Sequence, residues 1–162
     1  MKMLEYIYIY NFIDLSLEDK KEIFEYRNSE EISKWMVNKK ITFEEHLKFI
    51  DNLVNSDNKY FLVKYNNENI GVISFIVFNE KCNEREVGLY LNPCHIGKDY
   101  GKILMDAINI KARELNIDTI MCKTFKKNFR MQKFCKKYNF FEINEDDEFI
   151  YYKLKIKQEE DK

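Results

Sequence analysis

Two segments of this sequence hold residues whose types and spacing could do chemistry. The first begins with strand-like Glu84–Leu91 and stops at Asn92-Pro93. It then runs Ile96-Gly97-Lys98-Asp99-Tyr100-Gly101-Lys102 into an apolar-periodic stretch. Glycines at a strand-to-helix turn let backbone N–H groups point at an anion, and the helix N-terminus adds its partial positive charge. A diphosphate is a natural guest, although glycine at such a turn also serves plain geometry. The segment is not a Walker loop, since Gly-Lys-Ser/Thr is missing, and it does not spell GxGxxG.

The second segment is Lys123 to Lys137, with seven basic residues (Lys123, Lys126, Lys127, Arg130, Lys133, Lys136, Lys137) and no acid. Its counterweights come later, at Glu142, Glu145, Asp146, Asp147 and Glu148, and at Glu159, Glu160 and Asp161. The formal net charge of -1 leaves no global field to recruit nucleic acid or an anionic membrane. A basic stretch balanced elsewhere suits a small phosphorylated ligand, with a solvated lysine-rich helix face as the plain alternative. Phe125, Phe129 and Phe134 could stack RNA bases, but at helical spacing they read as core.

Other chemistries find little support. Cys82, Cys94, Cys122 and Cys135 form no CxxC and no regular spacing, and read as reduced thiols of a cytoplasmic protein without a signal peptide. Two histidines far apart, His46 and His95, argue against zinc, so no metal is expected. His95, beside Pro93, reads as a loop surface residue. No apolar run approaches the roughly 20 residues of a membrane span.

The elements that must position these groups follow from pattern. With 162 residues, 45% hydrophobic and 15% aromatic, the chain can fill one core, and no composition break divides it. One domain over 1–162 is expected, its tail frayed from about 157. Met3 to Phe12 reads as a strand. Ser16 to Asp19 opens a helix to about Arg27, and a short helix follows around Ile32 to Met36. Thr42 to Glu45 is a capping box before an amphipathic helix with Leu47, Ile50 and Leu53 on one face.

Lys59 to Tyr65 and Ile70 to Phe78 read as a hairpin about Asn66–Asn69, and Glu84 to Leu91 as a further strand. A helix from Gly101 to Leu115 carries Ile103, Leu104, Ala107, Ile108, Ala112 and Leu115 at a 3.6 period. Thr119 to Phe125 is a strand, Asn128 to Tyr138 a helix and Phe149 to Ile156 a strand, with one more possible near Phe140. The order implies an α/β (α+β) fold, a mixed sheet with helices on both faces.

A strand, a glycine loop opening a helix, another strand, then Asn128 and a short helix ending in an aromatic resembles the acetyl-CoA-binding core of the GNAT N-acetyltransferase superfamily. The likeness spans about Glu84 to Phe141. It implies a mostly antiparallel sheet of six to seven strands, splayed into a V between the fourth and fifth. It also implies acetyl-CoA as co-substrate. Leu89, Tyr90 and Leu91 would pair with the pantetheine arm. The loop Ile96, Gly97, Lys98, Asp99, Tyr100, Gly101 and Lys102 would hold the pyrophosphate, and Asn128 and Phe134 would also meet the cofactor.

Glu25-Tyr-Arg-Asn28, Trp35-Met36, Phe43-Glu-Glu-His-Leu-Lys-Phe-Ile50, Tyr60-Phe-Leu62 and Gly71-Val72 look like one branch of that superfamily. That branch is the N-acetyltransferases of pseudaminic acid (flagellin glycan) biosynthesis. They acetylate the 4-amino group of UDP-4-amino-4,6-dideoxy-N-acetyl-β-L-altrosamine. The resemblance implies direct transfer in a ternary complex. Arg27, His46, Lys123 and Tyr90 would meet the sugar nucleotide, and Met36 and Phe49 would line an apolar pocket for the 6-deoxy sugar and the uracil. The protein would be a monomer or homodimer.

Two departures from the family pattern stand out. Asp99 occupies a loop position where glycine is usual, which sets an acid near a diphosphate unless its side chain turns away. Seven residues after Asn128 the family carries a tyrosine that protonates departing CoA; here that residue is Cys135. Cys135 is therefore either the proton donor or a packed core thiol, and Tyr138, one turn on, could replace it. Ser74 is a candidate for ordering water near the amine, and no carboxylate stands out as the base. A polyamine or protein α-amine acceptor, and an acetyl-CoA-binding protein impaired in catalysis, remain alternatives.

Overall fold

The computed structural model of the chain describes residues 7–79 and 83–158. The expectations for residues 3–6 of the first strand, for Cys82, and for the tail from 159 lie outside the described residues.

Among the described residues, seven strands form one sheet in the order β1-β2-β3-β4-β5-β7-β6. They are β1 (Ile7–Asn11), β2 (Lys59–Tyr65), β3 (Glu68–Asn79), β4 (Glu84–Leu91), β5 (Thr119–Phe125), β6 (Phe141–Glu145) and β7 (Phe149–Lys155). Every neighbouring pair is antiparallel except β4 and β5, which run parallel. The added strand near Phe140 is β6.

Among the described residues there are five α-helices: α1 (Leu17–Asn28), α2 (Glu30–Ser33), α3 (Phe43–Asn52), α4 (Gly101–Glu114) and α5 (Phe129–Lys137). Their starts follow from capping. The Ser16 hydroxyl accepts from Asp19 N–H, and Thr42 and Glu45 complete a reciprocal capping box. Asn128 caps α5 by accepting from Met131 N–H.

Strand alternation divides the core in two. Phe61, Val63, Ile73, Phe75, Val87 and Ile120 face α4 and α5, where Leu104, Ala107, Ile108 and Ala112 pack on them. Leu62 and Val72 point the other way, toward Ile23 of α1 and Ile50 of α3. Helices thus lie on both faces, as the pattern implied.

Several boundaries differ from the sequence reading, three of them for clear local reasons. β1 ends at Asn11 because its side chain accepts from Ile13 N–H and starts a 3-10 turn that buries Phe12. β3 starts at Glu68, since the turn needs only Asn66 and Asn67, both at positive φ (51° and 67°), the signature of a two-residue hairpin. The short helix lies at Glu30–Ser33 rather than Ile32 to Met36. Arg27 draws the following chain aside by donating to the carbonyls of Asn38 (2.6 Å) and Lys39 (3.3 Å).

Candidate active site

The ladder between β4 and β5 holds for only three pairs: Glu84 with Thr119, Arg85 with Ile120, and Glu86 with Met121. Beyond Glu86 the strands part, so the edge of β4 facing β5 has no ladder partner from Val87 onward. Backbone N–H and C=O groups there can pair with an extended amide-bearing ligand. The gap is a cleft of about 890 Å³ running between the two faces of the sheet.

On the α4/α5 face the cleft is bounded by Leu89, Leu91, Leu104, Cys122, Thr124 and Phe134. Its mouth is formed by Ile96, Gly97, Asp99, Tyr100 and Gly101, with Asn128 and Met131 opposite. Tyr100, at the N-cap of α4, gives no side-chain cap and its carbonyl accepts from Ile103 N–H, which leaves the N–H groups of Gly101 and Lys102 for an anion at the helix start. Gly97 has φ +82° and Asp99 φ +66°. A left-handed residue explains why glycine is usual at position 99, and aspartate is among the few alternatives that tolerate it.

The Asp99 carboxylate does turn away. Its Oδ1 lies 3.2 Å from Lys137 Nζ, and the side chain is 80% exposed. The loop therefore fits a diphosphate despite the acid. The side chains of Lys98 and Lys102 lie outside the cleft lining, and Lys102 Nζ pairs with Asp106 at 3.0 Å.

The opposite face carries Ser74, Glu86, Gly88, Tyr90, Lys123 and Phe125. Ser74 pairs with Gly88 across β3 and β4, and its Oγ stands 2.6 Å from where a Cβ on Gly88 would be. A Cβ there would force the hydroxyl out of its present position. Burial pushes the Tyr60 and Tyr90 phenols up, so both remain neutral donors rather than bases. Arg27 and Met36 also line this side. The Arg27 guanidinium is committed to the loop carbonyls, which makes it a latch for Asn38 and Lys39 as well as a cleft residue.

Besides Lys98 and Lys102, four expected site residues are not brought into the cleft lining. Cys135 has no solvent exposure and packs in the core beneath β5. A hydrogen bond with Cys122 and burial hold its thiol far above the usual range, and its place in the closed core favours the packed-thiol alternative over the proton donor. Tyr138 packs on Phe134 (4.8 Å between centroids) at the end of α5, outside the lining. His46 is 3% exposed between α1 and α3, its Nε2 3.1 Å from the Lys20 carbonyl, with Phe24 and Phe43 beside it. It is a core residue, not a substrate contact. Phe49 stands edge-on to Tyr60 at 4.8 Å and also lies outside the lining. His95 is likewise not a surface residue, for its side chain is 12% exposed and its ring sits 4.6 Å from Tyr100.

The sequence reading missed Glu86, whose carboxylate lines the cleft where the strands separate and has no hydrogen bond or ion pair with any described residue. Its place in an alternating strand, on the face away from Val87, was the available signal. The reading also missed a wall of three rings. Trp35 lies 6.0 Å from Phe125, and Phe125 lies 4.5 Å from Phe149. Nothing in the spacing joins these residues, because they come from the α2 loop, β5 and β7.

Comparison with known proteins agrees with this geometry. Residues 11–140 match the model described as "Acetyltransferase (GNAT) domain". A curated relative, Acetyltransferase PseH of Campylobacter jejuni subsp. jejuni serotype O:2, is 40% identical over 148 residues, 90% of this chain and 91% of the relative. The crystal structure of Campylobacter jejuni N-acetyltransferase PseH in complex with acetyl coenzyme A is 34% identical. It superposes with TM-score 0.76 over 92% of this chain and 98% of that one. Spermidine N-acetyltransferase of Vibrio cholerae, with CoA and spermine, shares the fold (TM-score 0.81 over 94% of this chain and 96% of that one) at 16% identity.

Proposed function

Because the chain belongs to the acetyltransferase (GNAT) family, we propose that it moves the acetyl group of acetyl-CoA onto the 4-amino group of a UDP-linked 4-amino-4,6-dideoxy sugar. The observation that carries the reading is the similarity to Acetyltransferase PseH along nearly the whole chain, acceptor half included. The enzyme would be a cytoplasmic monomer or homodimer. Among the described residues no helix is long and apolar enough to cross a membrane.

The free edge of β4 from Val87 to Leu91 holds the extended arm of the donor, and the α4 N-terminus holds its pyrophosphate. The acceptor enters from the Ser74, Tyr90 and Lys123 side, and its amine meets the thioester carbon in the gap. A β4 backbone N–H donates to the developing oxyanion. The new C–N bond replaces C–S, and sulfur departs as thiolate. The amine proton passes to Glu86, directly or through water held by Ser74. A thiolate with a reference pKa of about 8.5 leaves without a donor from α5.

Competition kinetics test this reading. UDP should inhibit competitively against the acceptor in the presence of saturating acetyl-CoA. Inhibition against acetyl-CoA alone would contradict it.

A further inference from the structure

Among the cleft features, the three-ring wall has no task in the chemistry described so far. Trp35, Phe125 and Phe149 are half-buried and all line the cleft. They stand on the face opposite α4 and α5, where the acceptor enters. Lys123 lies on that face too, its Nζ 4.1 Å from the centroid of Phe149, and Lys34 Nζ is 5.2 Å from that of Trp35. Among the described residues neither lysine is ion-paired.

Position along β5 matters as much as composition. Met121 is the last residue of β5 paired with β4. Lys123 and Phe125 follow on the same face, roughly 7 and 13 Å farther out at about 3.3 Å per residue. Phe149 is the ladder partner of Phe125. Moving outward from the reaction centre, the cleft therefore presents a cation and then an aromatic plate. A sugar bearing a nucleoside diphosphate presents its parts in that order: hexose, two phosphates, then a flat base.

We infer that Trp35, Phe125 and Phe149 form the nucleobase platform of the acceptor site, with Lys123 as the diphosphate anchor beside it. The inference rests on the sugar-nucleotide reading above and adds to it the residues that select the nucleotide. Lys123 covers Phe149 by cation–π contact. On binding, the flexible ammonium moves onto the phosphates and yields the ring to the base. Base–aromatic stacking is worth about 1–3 kcal/mol per base, which corresponds to a change of roughly 5- to 150-fold in affinity.

Trp35 is the chain's single tryptophan, so its fluorescence reports on the platform directly. Full-length protein saturated with CoA, which blocks the cofactor loop, would be titrated with UDP, uridine and inorganic pyrophosphate. UDP should quench or shift Trp35 emission, uridine should do so more weakly, and pyrophosphate should leave it unchanged. Phe149→Leu and Phe125→Leu should raise the acceptor KM and the UDP Kd by about tenfold or more, with kcat and the acetyl-CoA Kd little changed. Lys123→Gln should weaken UDP more than uridine, which keeps the test alive if a ring variant misfolds. If the UDP-amino sugar is acetylated while Trp35 ignores UDP and Phe149→Leu keeps its KM, the platform is wrong and the function stands. If UDP does not bind and the sugar is not acetylated, both fail together.

Discussion

Lys137 of α5 holds the solvent-exposed carboxylate of Asp99 3.2 Å from its ammonium. This contact reconciles an acid in the diphosphate loop with anion binding. The backbone at Asp99 is left-handed, so the position asks for glycine and accepts aspartate only with its side chain turned outward.

Asp99→Gly should therefore bind acetyl-CoA at least as tightly as the natural chain, because it removes both the strain and the charge. Lys137→Glu should bind it more weakly by placing a second acid beside the first. Calorimetric titration with acetyl-CoA checks both, and a marked loss of affinity in Asp99→Gly would contradict the arrangement.

Cys135→Ala should leave kcat close to that of the natural chain. A proton donor would instead contribute about 10²–10⁴-fold. The substitution should cost on the order of 1 kcal/mol of stability, since it empties a small volume in a closed core. Steady-state kinetics beside a denaturant melt separates the two roles.

His46 gives a pH signature in stability rather than in substrate affinity. Desolvation is the main cause holding its imidazole below its ordinary value of about 6.5, so the folded state favours the neutral ring. As pH falls below about 6.5, the unfolded chain binds a proton that the folded chain resists, and stability drops until the folded value is passed. Above that window the contribution is complete. His46→Gln, which can still donate to the Lys20 carbonyl, should flatten the fall in Tm between pH 7.5 and pH 5 while leaving the acceptor KM unchanged.

Much of the scaffold was legible because local signals agreed. Thr42 and Glu45 spelled their capping box, Asn92-Pro93 stopped β4, and α4 showed its apolar period through Ala112, with Leu115 left exposed at the C-cap. The splay was legible only through family likeness, since no local residue announces that β4 and β5 part after Glu86. His46 was assigned to the acceptor through family likeness, because a polar residue beside an apolar stripe gives no local sign of whether it faces a ligand or a neighbouring helix. Its carbonyl partner lies 26 positions away on α1. Cys135 misled for a related reason: family position located the helix face, but a short side chain there stops beneath β5 instead of reaching the cleft.

Glu86→Gln should lower kcat by about 10²–10⁴-fold near neutral pH if its carboxylate receives the amine proton. The deficit should shrink as pH rises, because the free amine then arrives deprotonated without help. A deficit that stays constant from pH 7 to pH 10 would instead assign Glu86 to positioning.

The central claim is tested most directly by product identification with three acceptors side by side: the UDP-4-amino-4,6-dideoxy sugar, spermidine and a peptide α-amine, each with acetyl-CoA. The account predicts one acetyl group on the 4-nitrogen of the sugar nucleotide, located by mass spectrometry and NMR, with little transfer to the other two. Rapid acetylation of spermidine or the peptide, with the sugar nucleotide recovered unchanged, would contradict it.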